Sequence, residues 1–147
     1  MHITSYKELD LKEKKLIDEA REALKNGYNP YSKVKVVVGA AVMTSTGKFI
    51  RGSSIRARQA LVNLCAERAA VAAANSQGHR DIYMLAVTME SEQPQEEPVT
   101  PCGLCRQFLL EVQIMSGKEL TILCSNGDGS KIYRITLAEL LPYGWRA

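Results

Sequence analysis

Four segments of the chain place apolar residues at helical spacing or consist of strong helix formers. We expect helices over residues 9–26, 64–76, 102–114 and 137–141. In the first segment Leu16, Ile17 and Ala20 fall on one face, which is typical of an amphipathic helix. Gly78 and Gly117 follow the second and third segments, where glycine commonly ends a helix.

Five further segments carry short apolar runs between turn residues. We expect strands over residues 34–43, 48–54, 82–89, 120–125 and 131–136. The first of these is almost continuously apolar, which predicts a strand buried on both faces. Helices that alternate with strands in this order indicate one layered α/β domain with a mixed sheet over residues 1–147.

Composition and charge exclude several classes of protein but do not identify the function. The length of 147 residues suits one domain, and 46% apolar residues suffice for one core. A net charge of +3, from 19 basic and 16 acidic residues, is too small to indicate a nucleic-acid partner. The first eight residues lack the apolar region of a secretory signal, and no run suits a membrane span, so we expect a cytoplasmic protein.

Three cysteines stand where predicted helices begin. Cys65 opens the second helix, and Cys102 and Cys105 open the third with the spacing C-x-x-C. Helix N-termini favour thiolates, and two sulfurs at this spacing reach one metal ion from a single turn. Soft thiolates suit zinc, and a catalytic zinc ion commonly has three protein ligands and one water. Glu67, two residues after Cys65, is then placed to handle the protons of that water.

Other interpretations of the cysteines remain open at this point. A single C-x-x-C can be redox-active or structural, and Cys124 could complete a structural four-cysteine zinc site. However, Cys124 stands alone on a predicted strand, and a structural site has no use for the Cys-x-Glu arrangement. The pattern therefore favours a catalytic zinc ion and a Cys124 that is a small buried apolar residue.

Two motifs identify a family resemblance. Cys65-Ala66-Glu67-Arg68 followed by Pro101-Cys102-Gly103-Leu104-Cys105-Arg106-Gln107 closely resembles the zinc-dependent cytidine deaminases, in the short three-cysteine branch that acts on small molecules. The resemblance begins at residues 30–32, includes 38–41 and ends at 139–142. It implies a three-layer α-β-α sandwich with a mixed five-stranded sheet.

The resemblance also implies roles for the motif residues. Cys65, Cys102 and Cys105 would bind one Zn²⁺ per chain, and Glu67 would carry protons during hydrolytic deamination of a cytosine nucleoside. Three thiolates and one Zn²⁺ form a complex with a net charge of −1, which neighbouring cations must stabilise. Arg68 and Arg106 are expected to do so, unless they are exposed helix arginines, and Gln107 is expected to brace the same turn.

The substrate-binding positions depart from the family pattern. The resemblance assigns substrate contacts to the following positions: Val36, Ser54, Arg56, Ala66 and Trp145. Where the family has Asn-x-Glu for reading the sugar, this chain has Ser54-Ile55-Arg56, and Val36 replaces a common phenylalanine. We expect Arg56 to meet a substrate anion, a protein acid or solvent. The expected substrate is cytidine, deoxycytidine or an analogue. The alternatives are that the protein is a blasticidin-S-type deaminase or a catalytically silent family member.

The family resemblance further implies an assembly. Members of this length are homotetramers that share active sites, in which an aromatic residue after Leu-Leu-Pro covers the base in a neighbouring subunit. Trp145 occupies that place with Tyr143 nearby, although it could instead pack on its own domain. The expected partners are therefore a nucleoside substrate and further copies of this chain, with no nucleic acid and no membrane, in pyrimidine salvage.

Overall fold

Strands and helices alternate along most of the chain in the computed structural model, which describes residues 1–146. The strands are β1 (His2–Thr4), β2 (Val36–Thr44), β3 (Phe49–Ser53), β4 (Ile82–Ser91), β5 (Thr121–Ser125) and β6 (Ile132–Thr136). The helices are α1 (Leu11–Ala23), α2 (Ala66–Ser76), α3 (Gly103–Ser116) and α4 (Leu137–Leu140). Among these described residues, no helix is long and apolar enough to cross a bilayer.

All six strands belong to one mixed sheet, so the expectation of five strands is wrong. The strand order is β1-β6-β5-β4-β2-β3, and only the pairing of β4 with β5 is parallel. The additional strand is β1, which pairs antiparallel with β6 through Ile3 and Tyr133. It has three mostly exposed residues and therefore lacks the apolar alternation that reveals a strand in sequence.

Helices cover both faces of the sheet, which confirms the three-layer α/β arrangement. On one face α1 packs Leu16 and Ile17 against Met43 of β2 and Leu123 of β5. On the other face α2 and α3 pack against alternate residues of the same strands. These residues include Val38, Ala40, Val42, Leu85, Val87 and Ile122. Because β2 is apolar on both faces, it forms the centre of the domain, as its continuous apolar sequence predicts.

The first helix ends differently from the sequence expectation. It is α-helical only to Ala23 and continues as a 3-10 turn over Leu24–Asn26. Gly27 follows, but its φ of −61° is not left-handed. A Cβ atom there would lie 2.6 Å from the Cβ of Val37, so glycine is required by the close approach of β2.

Helix α2 lies unusually close to strand β3 at Gly52. A Cβ atom on Gly52 would lie 2.6 Å from the Cα of Ala70 and would also overlap the carbonyl oxygen of Ala66. We expect Gly52→Ala to destabilise the fold by about 1–3 kcal/mol, because the helix backbone must move to admit the methyl group. Chemical denaturation measures this loss, and an unchanged midpoint would contradict the close packing. The contact matters for the site because it fixes the first turn of α2.

Candidate metal centre

The N-termini of α2 and α3 meet on one side of the sheet. Cys65 and Cys102 are the N-cap residues of the two helices, and both have extended backbone conformations. Their carbonyl oxygens accept the first helical hydrogen bonds, from Ala69 at 3.0 Å and from Arg106 at 2.9 Å. The free N–H groups of both first turns therefore lie around the cysteines, where they favour negative charge.

Three sulfur atoms cluster at this junction. The Sγ atoms of Cys65, Cys102 and Cys105 all lie within 4.8 Å of one another. The separation of Cys65 from Cys102 is 3.9 Å. Ligands of a tetrahedral zinc ion with Zn–S bonds of about 2.3 Å are separated by about 3.8 Å. The donor set and its spacing therefore fit zinc. Cys105 is buried whereas Cys102 is exposed, so the cluster has one side open to solvent.

Cys124 lies outside this cluster. It is fully buried in the middle of β5, among the apolar residues that α2 and α3 cover. Burial raises the pKa of its thiol to about 12, so it stays protonated. Within residues 1–146 the three clustered sulfurs do not include Cys124, and it behaves as a small apolar core residue.

Glu67 places a buried carboxyl group beside the sulfurs. Its side chain is only 3% exposed. Burial is the main reason that its pKa is raised, and the negative charge of Cys65 adds to the effect, whereas the nearby Cys105 thiol acts in the opposite direction. A protonatable carboxyl group thus lies close to the sulfur cluster.

Arg68 stabilises negative charge on the sulfurs. The pKa of Cys65 is lowered to about 5, chiefly by the neighbouring Cys105 thiol, and the positive charge of Arg68 adds to the effect. Arg68 also lies close enough to Cys105 for electrostatic attraction between its guanidinium group and that sulfur. Its Nη2 donates to the carbonyl oxygen of Asn63 at 2.7 Å, which fixes the guanidinium group.

Asn63 is a positioning residue that the sequence analysis does not identify. Its Oδ1 accepts a hydrogen bond from the backbone of Ala57 at 2.7 Å, while its carbonyl oxygen accepts from Arg68. It thus joins the segment that leaves β3 to the segment that enters α2. A helix-breaking polar residue shortly before the Cys65 N-cap is the only signal in the sequence, and such residues are common in loops.

Arg106 and Gln107 form hydrogen bonds with the loop before Cys102, with α4 and with the C-terminal tail. The guanidinium group of Arg106 donates to the carbonyl oxygens of Pro101 at 2.7 Å and Leu140 at 3.0 Å, and to Thr100 Oγ1 at 3.3 Å. It therefore holds the loop before Cys102 against α4. Gln107 donates to the carbonyl oxygen of Trp145 at 2.9 Å and accepts from the backbone of Trp145 at 3.1 Å, so it braces the C-terminal tail.

The remaining predicted site residues differ in their exposure to solvent. Ala66 and Ser54 are buried, and Ser54 Oγ accepts a hydrogen bond from the Val38 backbone at 3.0 Å. Arg56 is partly exposed, and so is Val36, which pairs with Ser91 at the start of β2. The side chain of Trp145 is 68% exposed, although its backbone is fixed by Gln107.

Comparisons with known proteins agree with this geometry. A family model for the cytidine and deoxycytidylate deaminase zinc-binding region matches residues 11–118. The cytidine deaminase of Halalkalibacterium halodurans is 37% identical over 132 residues, which cover 90% of this chain and 92% of that protein. A blasticidin-S deaminase of Bacillus cereus is 29% identical over 116 residues, which cover 76% of this chain and 79% of that protein.

A solved structure extends the agreement to the fold. The crystal structure of a cytidine deaminase from Burkholderia pseudomallei has a TM-score of 0.78 and 30% sequence identity, and the match covers 90% of this chain and 98% of that one. The family-model match extends from α1 through α3 and includes all three clustered cysteines. Family and cluster together fit one Zn²⁺ per chain. The chain belongs to the cytidine and deoxycytidylate deaminase family of zinc-binding proteins.

Proposed function

We propose that this protein is a zinc-dependent hydrolytic deaminase that converts a cytosine nucleoside to the corresponding uracil nucleoside and releases ammonia. The observation that carries the proposal is the buried carboxyl group of Glu67 beside three clustered sulfurs with an open side. The proposed physiological role is pyrimidine salvage in the cytoplasm, a reducing compartment in which thiol ligands persist.

The proposed ligands are Cys65, Cys102 and Cys105. Zinc held by them would act as a Lewis acid and make a hydroxide nucleophile available near neutral pH. The N–H groups of the two helix N-termini and the guanidinium group of Arg68 spread the negative charge of the three thiolates. Arg106 contributes by holding the loop in front of Cys102, and Gln107 by fixing the tail.

Glu67 is the proposed proton carrier. Its carboxylate accepts a proton from the attacking water and delivers it to N3 of the cytosine ring, while the water oxygen forms a bond to C4. It then transfers the remaining hydroxyl proton to the amino group. The C4–N bond breaks, the C4 carbonyl forms, and ammonia leaves. Burial suits this role, because it raises the pKa of the carboxyl group and so favours retention of the proton that it accepts.

The proposed substrate contacts are as follows: Val36, Ser54, Arg56, Ala66 and Trp145. A deaminase for a blasticidin-S-type nucleoside is a second candidate. It is favoured by the similarity to the Bacillus cereus protein and by the replacement of the usual Asn-x-Glu pattern with Ser54-Ile55-Arg56. A changed hydrogen-bonding pattern alters specificity by orders of magnitude, whereas the reaction at C4 is unaffected.

Ammonia release over a substrate panel tests the function. The panel contains cytidine, deoxycytidine, cytosine and blasticidin S, each incubated with zinc-loaded protein. Turnover of cytidine or deoxycytidine supports the first proposal, and turnover of blasticidin S alone supports the second. Zinc-loaded protein that releases no ammonia from any of them would indicate a catalytically silent member.

We further propose a homotetramer in which Trp145 reaches a neighbouring active site. Gln107 fixes the backbone of Trp145 from both sides, yet the indole ring is 68% exposed and the nearby Tyr143 is 98% exposed. Large apolar side chains are also exposed on α3 and on the loop before α2. They include Leu61, Val62, Leu104, Ile114 and Met115. Such exposure is typical of surfaces that bind another protein.

Removal of the aromatic ring tests the shared site. We expect Trp145→Ala to raise KM for cytidine by about tenfold, since stacking on a base contributes roughly 1–3 kcal/mol. Tyr143→Ala is the matched control and should raise KM less. Light scattering measures the assembly in parallel. A fully active monomer at the assay concentration would contradict the proposal.

A further inference from the structure

We propose that Arg56 and Arg58 form a subsite for an anionic group of the substrate, at the mouth of the metal centre. The inference rests on the deaminase function proposed above. It names the substrate class as a cytosine compound that carries a phosphate or a carboxylate beyond the base.

The backbone places Arg56 next to the metal centre. Ile55 and Leu64 exchange two hydrogen bonds, of 2.9 and 3.0 Å, directly before the Cys65 N-cap. The backbone N–H of Arg56 donates to the carbonyl oxygen of Tyr28 at 2.8 Å. The segment that leaves β3 is therefore held in an extended conformation beside the chain that enters α2.

Odd-numbered residues of this segment face α1. Arg51 forms an ion pair with Glu19 of α1. Ser53 Oγ donates to the carbonyl oxygen of Ala23, the last residue of α1, at 2.6 Å. Because side chains alternate along an extended strand, the neighbouring even-numbered residues face the opposite layer.

Even-numbered residues confirm this alternation. Ile50 packs in the core beneath α2 and α3, Gly52 touches the backbone of α2, and Ser54 is buried against β2. Ile55 is 47% exposed, whereas Arg56 is partly buried. Arg56 thus continues the face on which Cys65 and Glu67 lie.

The stretch of sequence around Arg56 contains no acidic residue of its own. Between Gly27 and Ala66 the sequence contains no aspartate or glutamate, although it contains several lysines and arginines. Acidic side chains from elsewhere form ion pairs with Lys35 and Arg51 in this stretch. No acidic side chain in the described part of the chain pairs with Arg56 or Arg58. A partly buried guanidinium group without an acid favours an anionic ligand.

The exposed side chain of Arg58 lies over an aromatic ring. Its guanidinium carbon lies 5.3 Å from the centroid of the Tyr31 ring. Stacking on one face leaves the N–H groups at the edge of the guanidinium free to donate, and their fork geometry matches phosphate and carboxylate oxygens. Arg56, in the extended part of this segment, and Arg58, in the bend that follows it, therefore offer two guanidinium groups for one anion outside the reacting centre.

The test compares kcat/KM for cytidine, cytidine 5′-monophosphate and the 5′-carboxylate analogue of cytidine. We expect the wild-type protein to prefer an anionic compound, and Arg56→Gln or Arg58→Gln to reduce that preference by about tenfold or more. Arg56→Lys should retain part of it. Arg51→Gln, the matched control on the α1 face, should leave the ratio unchanged. A larger preference for the phosphate identifies a nucleotide, and a larger preference for the carboxylate identifies an acidic nucleoside.

Failure of the subsite proposal and failure of the proposed deaminase function give different experimental results. If cytidine is deaminated but both Gln variants keep the wild-type ratio, the subsite is wrong and the deaminase function stands. If no compound is turned over, the function fails, and calorimetric binding of cytidine 5′-monophosphate to zinc-loaded wild-type and Arg56→Gln protein decides the subsite. Equal affinity of the two proteins would overturn it, and tighter binding by the wild type would support it.

Discussion

Glu67→Gln is expected to lower kcat by roughly 10²–10⁴-fold while zinc remains bound. Glutamine keeps the size and the hydrogen-bonding shape of the side chain but cannot accept and return a proton. Glu67 is 3% exposed, so bulk water cannot readily replace it as the proton carrier. Single-turnover ammonia release, with zinc content measured on the same sample, is the appropriate assay.

Glu119→Gln is a suitable control for the Glu67 variant, because it makes the same chemical change at an exposed position before β5. It should leave kcat unchanged. The two variants should also have similar thermal transitions if Glu67 acts in catalysis and not in folding. Near wild-type turnover by Glu67→Gln would remove Glu67 from the mechanism.

Replacement of a clustered cysteine is expected to cause the second large effect. Cys65→Ala, Cys102→Ala and Cys105→Ala should each reduce zinc affinity by more than about 100-fold, because each removes a direct ligand where even supporting residues contribute 10–100-fold. Elemental analysis of dialysed protein measures the zinc content. Activity should fall in parallel, since the reaction depends on the bound ion.

Cys124→Ala is the matched control for these variants. The residue is a cysteine buried on the same side of the sheet, but its sulfur is outside the cluster. This variant should retain one zinc ion per chain, with a modest loss of stability from the missing sulfur atom. Loss of zinc from Cys124→Ala would instead support a structural four-cysteine site.

The sequence predicts the metal cluster well because part of its geometry is local. Cys102 and Cys105 share one helical turn, so secondary structure alone brings these two sulfurs together. The position of Cys65 beside them depends on the meeting of two helices that are distant in sequence, and only the family resemblance indicates it. The strand β1 escapes prediction because its stability comes from pairing with β6 rather than from its own sequence pattern. Long-range pairing of a short exposed segment leaves no periodic signal.

The two arginines of the motifs have different surroundings, which follow from their positions on the helices. Arg68 follows Cys65 by three positions, so it lies on the same face of α2 and reaches the sulfurs. Arg106 directly follows Cys105, and the rotation of about 100° per helical residue turns it towards Pro101 and Leu140. The tail that contacts Gln107 comes from a distant part of the sequence, and no spacing rule places it there.

The positions of the ligands along the chain have a consequence for folding. Cys65 and Cys102 are 37 positions apart, and the whole of β4 lies between them. A shared ion therefore acts as a cross-link that closes a long loop and restricts the unfolded chain, an effect worth roughly 3–5 kcal/mol for a covalent link of this length. Stability then increases with free zinc by mass action. When zinc is scarce, the protein should become more susceptible to proteolysis, so its abundance as well as its activity follows the zinc supply.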